Sequence, residues 1–200
     1  MFSSASTLCS ERRGAEFMGE VIQIRPAVPA DMEAVGRLYT DSWQRTYRGL
    51  LPDQELDEMT AEASTEKWTS YLERKENAMF VLERNGAVAG FAACRPLPER
   101  ENSALLDSLH VAPEAQGGGW GRKLIAQAAR WARERGYREL TVYVVQGNHR
   151  AERLYRRLGA RELYSFHDWD DALSWALAWE DLEALEELEM SNLPAGEEIG

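Results

Sequence analysis

The sequence predicts an α+β fold, and three observations carry the prediction. Stretches of strand periodicity and of helical periodicity follow one another in the order β-α-α-β-β-β-α-β-α-β-β. Asn85-Gly86 stands between two apolar runs, Ala78 to Arg84 and Ala87 to Arg95, a strong signal for an antiparallel hairpin. From Leu105 to Arg122 an apolar strand passes through a glycine-rich loop into a helix.

The elements follow in order. Val21 to Arg25 alternates as an opening strand, and Pro26 and Pro29 end it. Asp31 is placed to cap a helix in which Met32, Val35, Leu38 and Tyr39 share a face, running to about Arg45. Ser42 to Pro52 is aromatic and irregular. A second helical region covers Asp53 to Glu76, with a break expected over Thr60 to Ser64. After the hairpin, Pro96 to Asn102 is a polar loop. The central strand Leu105 to Val111 stops at Ala112-Pro113, because proline cannot continue the ladder. Leu124, Ala128, Trp131 and Arg135 then recur at helical spacing, and Gly136 closes that helix. Leu140 to Val145 is a strand. Asn148 caps a helix with the stripe Ala151, Leu154, Tyr155 and Leu158, ended by Gly159. Ala160 to Phe166 and Ala172 to Glu180 form a final strand pair, with Leu173, Trp175, Leu177 and Trp179 alternating. The Trp169, Trp175 and Trp179 group is expected in the core.

Two hundred residues suit one domain with tails. The net charge of −11 is localised: after Arg161 there are 12 Asp and Glu and no Lys or Arg. The expected division is a disordered extension over 1–19, with Met18 an alternative start, a domain over 20–181, and an acidic tail over 182–200, in which Asp181 to Met190 reads as a short acidic helix. Such a balance argues against nucleic-acid and anionic-membrane partners. Two cysteines, Cys9 and Cys94, build no disulfide framework and suit a reducing cytoplasm. No apolar run has membrane-spanning length. The histidines and cysteines are not at metal-ligand spacing, so no metal is expected.

Strand, glycine loop and helix N-terminus make an anion cradle. The first helical amides have no internal partner, and the dipole places positive charge there. A dinucleotide fingerprint fails because its last glycine falls on Arg122. A P-loop fails because Arg122-Lys123-Leu124 lacks the glycine and the hydroxyl. The pattern Gln/Arg-x-x-Gly-x-Gly/Ala is met by Gln116, Gly119 and Gly121.

In this loop the chain resembles the GCN5-related N-acetyltransferase (GNAT) superfamily. Asn148, Ala151, Leu154, Tyr155 and Gly159 match a second segment of that family, and Ser42 to Pro52 resembles its "W…TYRGLLP" segment. The resemblance implies a three-layer α/β/α domain with a mixed, mostly antiparallel sheet of about seven strands. It implies acetyl-CoA as cosubstrate, its pyrophosphate on Gln116, Gly117, Gly118, Gly119, Trp120, Gly121 and Arg122. The pantetheine arm is then expected against the strand at Leu109, His110 and Val111 and against Asn148. Tyr155 is implied as the acid that protonates the departing thiolate. Trp43 and Tyr47 would wall the acceptor site, or else simply cover the core.

The implied reaction is direct attack of a primary amine on the thioester. An ordinary amine has a pKa of about 10.4 and needs a base. Leu105 and Tyr143 occupy positions where many family members carry Glu, so that base is absent. Asp107 or a water relay is the expected replacement, with Glu33 and Asp41 on the first helix as further options. His110 is expected to face away as a packed strand histidine. The alternative class is a non-catalytic acyl-CoA sensor of the same fold. A monomer or homodimer is expected.

Overall fold

The computed structural model describes residues 20–168 and 171–187. The expected extension 1–19, Trp169 and the chain beyond Glu187 lie outside the described residues.

Seven strands form one sheet in the order β1-β2-β3-β4-β5-β7-β6. They are β1 (Ile22–Pro26), β2 (Ala78–Arg84), β3 (Ala87–Pro96), β4 (Ser103–Val111), β5 (Glu139–Val145), β6 (Arg161–His167) and β7 (Leu173–Trp179). Only β4 and β5 run parallel, so the sheet is mixed and mostly antiparallel. The helices are α1 (Met32–Tyr47), α2 (Asp53–Glu58), α3 (Ala61–Leu72), α4 (Trp120–Glu134), α5 (His149–Arg157) and α6 (Leu182–Glu187).

Side-chain parity on the strands sorts the core into two layers. Leu82, Ala92, Cys94 and Leu106 point to the face where Leu124, Ala128 and Trp131 of α4 pack. Met79, Val81, Phe91 and Ala93 point to the opposite face, where Met32, Val35 and Tyr39 of α1 meet Trp68 of α3. Asn85 and Gly86 both take positive φ (52° and 81°), as the expected hairpin requires.

Two local expectations are corrected. Asp31 precedes α1 but its carboxylate makes no cap bond to that helix. It accepts from Val28 N–H (2.8 Å) and from Arg25 (2.7 Å), because the charged guanidinium is a stronger partner than a helical amide. The break in the second helical region is confined to Met59-Thr60. Thr60 Oγ1 accepts from Ala63 N–H (3.1 Å) and starts α3, so Ala61 to Ser64 are helical. The short acidic helix expected from Asp181 is present as α6, and its Leu182 and Leu185 are buried in the α4-side core. Glu186 joins Arg130 and Arg133 of α4, at 2.7 Å from each.

Two features of β4 position the site. Its parallel pairing with β5 runs only from Ser103–Glu139 to Leu106–Val142, after which the strands separate. Against β3, Ser108 pairs with Ala93 and Leu106 with Cys94, which leaves Asp107 as the extra residue of a β-bulge. The bulge shifts the parity of β4. Ala104 and Leu106 face α4 before it, whereas Leu109 and Val111 face α4 after it.

Candidate active site

The separated strands open a cleft of about 1100 Å³. Its floor is the splayed part of β4 and β5, and its rim is the glycine loop and the start of α5.

The cradle is built from backbone conformation. Gly117 and Gly119 take positive φ (86° and 71°), and Gly119 is the residue from which α4 starts. Only glycine adopts this without strain, and the turn it makes exposes the first amides of α4. Gln116 Nε2 donates to the Val111 carbonyl (2.8 Å), and Arg150 of α5 donates to its Oε1 (2.5 Å). The Gln116 side chain thus ties the strand end, the loop and α5 together. Gln116, Gly117, Gly119, Trp120 and Gly121 line the cleft. Gly118 and Arg122 are not among the residues lining it, although they belong to the same loop and first turn. Lys123 Nζ lies 4.6 Å from the centre of the Trp120 ring, a cation–π contact at the rim.

Asn148 is the N-cap of α5, with Oδ1 accepting from Ala151 N–H (3.3 Å), and it also lines the cleft. Tyr155 lies two turns along α5. Its ring packs edge-on against Trp179 (5.6 Å, 87°), and it lines the cleft too. Burial, reinforced by nearby Tyr47, pushes the Tyr155 phenol well above its ordinary pKa, so it carries its proton throughout the neutral range. Tyr47 rises for the same first reason, opposed by the Asn148 side chain.

Leu109, His110 and Val111 line the cleft from β4. The bulge overturns the expectation that His110 faces away from Asp107. Strict alternation separates residues 107 and 110, but the extra residue returns both to the α1/α3 side. There Asp107 acts electrostatically on Tyr39 and Lys67. His110 stacks on Phe91 (5.2 Å) and meets Tyr39 edge-on (5.3 Å). His110 is packed, as expected, and remains accessible from the cleft. Asp107 Oδ1 accepts from Arg95 Nε at 3.3 Å, and both residues line the cleft.

The cleft has aromatic walls. Trp43 and Tyr47 pack together (4.5 Å), as do Tyr143 and Phe166 (4.9 Å), and all four line the cleft. Of the tryptophan group, Trp179 is buried and donates to the Leu158 carbonyl (3.1 Å), while Trp175 is partly buried against the core. Ser42 opens the segment expected to wall the acceptor site, whereas sequence reasoning missed Arg95, Phe166, Asp168 and Ser174 as lining residues. None sits in a spacing pattern; the sheet assembles them. Among the described residues no cluster of His, Cys, Asp and Glu has metal-binding form, and no helix is long and apolar enough to cross a membrane.

A sheet that splays beside a glycine cradle, with a protonated phenol within the gap, defines an acyl-CoA-dependent acyltransferase fold. The chain belongs to the acetyltransferase (GNAT) family, whose model matches residues 35–160. Membership sets the class of activity, N-acetyl transfer from acetyl-CoA. The uncharacterized N-acetyltransferase YuaI of Bacillus subtilis is 27% identical over 131 residues, 64% of this chain and 74% of that protein. An aminoglycoside N(6')-acetyltransferase type 1 of Stenotrophomonas maltophilia is 33% identical over 124 residues, 58% of this chain and 71% of that protein. The PaiA N-acetyltransferase of Thermoplasma acidophilum, solved in complex with coenzyme A, shares the fold with a TM-score of 0.68 at 19% identity. It covers 80% of this chain and 99% of its own.

Proposed function

We propose that the cleft binds acetyl-CoA along the separated edge of β4 and transfers its acetyl group to a primary amine by direct attack within a ternary complex. The observation that carries this is the end of the β4–β5 seam at Leu106–Val142, beyond which the two strands are unpaired along a cleft that the glycine loop and Tyr155 both line. The amides of residues 116–121 take the pyrophosphate, and their glycine-dependent geometry fits an anion that needs close backbone approach. The backbone of Leu109 and Val111 aligns the pantetheine arm, and Asn148 bonds it from the start of α5.

Acetyl-CoA supplies a thioester carbonyl and a thiolate leaving group. Backbone amides of β4 orient that carbonyl and stabilise its oxyanion, an effect of about 3 kcal/mol per donor. Tyr155 gives its proton to the departing sulfur as general acid. Asp107, placed on the bulge at the acceptor end, is the proton acceptor for the amine, directly or through water. The aromatic walls formed by Trp43, Tyr47, Tyr143 and Phe166 select an acceptor with apolar surface beside its amine. A reducing cytoplasm suits the free, buried Cys94.

The test is a thiol-release assay with acetyl-CoA and a panel of primary amines. Amine-dependent release is expected. Binding of acetyl-CoA without release for any amine would favour the sensor alternative.

A further inference from the structure

This inference rests on the transferase assignment and concerns how the acceptor amine is held. Two cleft-lining side chains from different layers meet at the acceptor end. Ser42 Oγ of α1 and His110 Nδ1 of β4 are 2.8 Å apart. The bond ties the helical wall of the cleft to the strand that carries the bulge. The imidazole has little freedom, since it stacks on Phe91 (5.2 Å, 30°) and abuts Tyr39 edge-on (5.3 Å, 84°). Ser42 is therefore held at a fixed point of the cleft wall.

We infer that Ser42 is a positioning residue for the acceptor amine: its hydroxyl proton is bonded to His110, and its oxygen accepts an N–H from the attacking nitrogen. The chemistry follows from the donor inventory. A neutral imidazole offers one accepting nitrogen, and a hydroxyl that donates to it keeps its lone pairs for another donor. An amine nucleophile must direct its own lone pair at the thioester carbonyl, so its N–H bonds point elsewhere. An acceptor fixed on the cleft wall takes one of them and turns the lone pair toward carbon, which is orientation in the catalytic sense.

His110 serves this geometry without taking the proton. The groups facing it are Tyr39 from α1, Lys67 from α3, Phe91 from β3 and, along its own strand, Asp107. Burial and the Lys67 charge push the imidazole down to about 3, so it stays neutral at working pH. An amine of pKa about 10.4 holds its proton far more tightly than that imidazole.

The experiment uses the full chain and the best acceptor among tyramine, putrescine, glycinamide and kanamycin. Ser42→Ala should raise the acceptor KM about tenfold and leave the acetyl-CoA Kd unchanged. Ser42→Thr, which keeps the hydroxyl, should restore the wild-type KM. His110→Phe preserves the ring contacts and should raise the acceptor KM in the same direction, with the acidic limb of the kcat/KM profile in place. A wild-type KM in Ser42→Ala would overturn the inference. So would loss of that acidic limb in His110→Phe, which would make His110 the base. If wild type releases no thiol with any of the four amines, the transferase assignment fails and this inference with it. Turnover by wild type with an unaltered Ser42→Ala variant would remove this inference alone.

Discussion

Leu106 and Val142 are the last partners on the parallel seam between β4 and β5. One residue later the Asp107 bulge turns β4, and the strands no longer pair. A sheet normally satisfies its backbone groups across every seam. Here five residues of β4 leave that arrangement in the stretch that runs up to the glycine loop. The seam is thus an interrupted ladder, and we propose that an extended arm with amide groups completes it.

Tyr155→Phe removes the proposed acid and keeps the ring against Trp179. The expected result is a fall in kcat of about a hundredfold, the usual scale for general acid catalysis. Calorimetry should give an unchanged acetyl-CoA Kd. Unchanged turnover would assign the phenol to packing.

Gly119→Asp places a side chain at φ +71° and a negative charge on the anion cradle. The acetyl-CoA Kd should rise at least tenfold, about 1.4 kcal/mol. A folded variant with wild-type affinity would put the pyrophosphate elsewhere.

Leu185→Ala tests whether the acidic segment belongs to the domain. Leu185 is 2% exposed in the α4-side core, and such a truncation costs about 2–5 kcal/mol. Urea unfolding should show that loss. Glu186→Ala should cost less than about 1 kcal/mol, since Arg130 and Arg133 are substantially exposed.

Asp31 gives a pH prediction. Arg25 hydrogen-bonds its carboxylate and, with the Val28 amide, holds it below the ordinary carboxylate value against the opposing effect of burial. Because the folded value is depressed, the stabilisation is present above the unfolded value of about 3.9 and is lost as pH falls through the folded one. Asp31→Asn should therefore be less stable than wild type by about 1–3 kcal/mol at pH 7. The gap should close progressively in acid below about pH 4. A gap independent of pH would mean that the pair contributes nothing through charge.

Much of this architecture was legible because the signals are local. Asn85-Gly86 fixes the hairpin through two positive φ values. The glycine loop announces itself by composition, and α4 and α5 by their stripes. Leu105 to Val111 reads as one strand, but counting by twos cannot reveal a bulge. That feature is set by pairing with β3, so the shared face of Asp107 and His110 was hidden. Asp31 read as a cap because Arg25, its actual partner, sits on another element. Asp168 and Ser174 occupy no motif and reach the cleft only because the sheet brings the end of β6 and the start of β7 to it. The acidic helix α6 is legible as a helix from Asp181 onward, but its charge hides the burial that Leu182 and Leu185 supply.

Isothermal titration calorimetry with acetyl-CoA, with desulfo-CoA and NAD as controls, tests the central claim most directly. Saturable micromolar binding of acetyl-CoA, retained affinity for desulfo-CoA and no signal with NAD are expected. Binding of NAD at the loop with no competition by CoA, or no binding of acetyl-CoA at all, would contradict it.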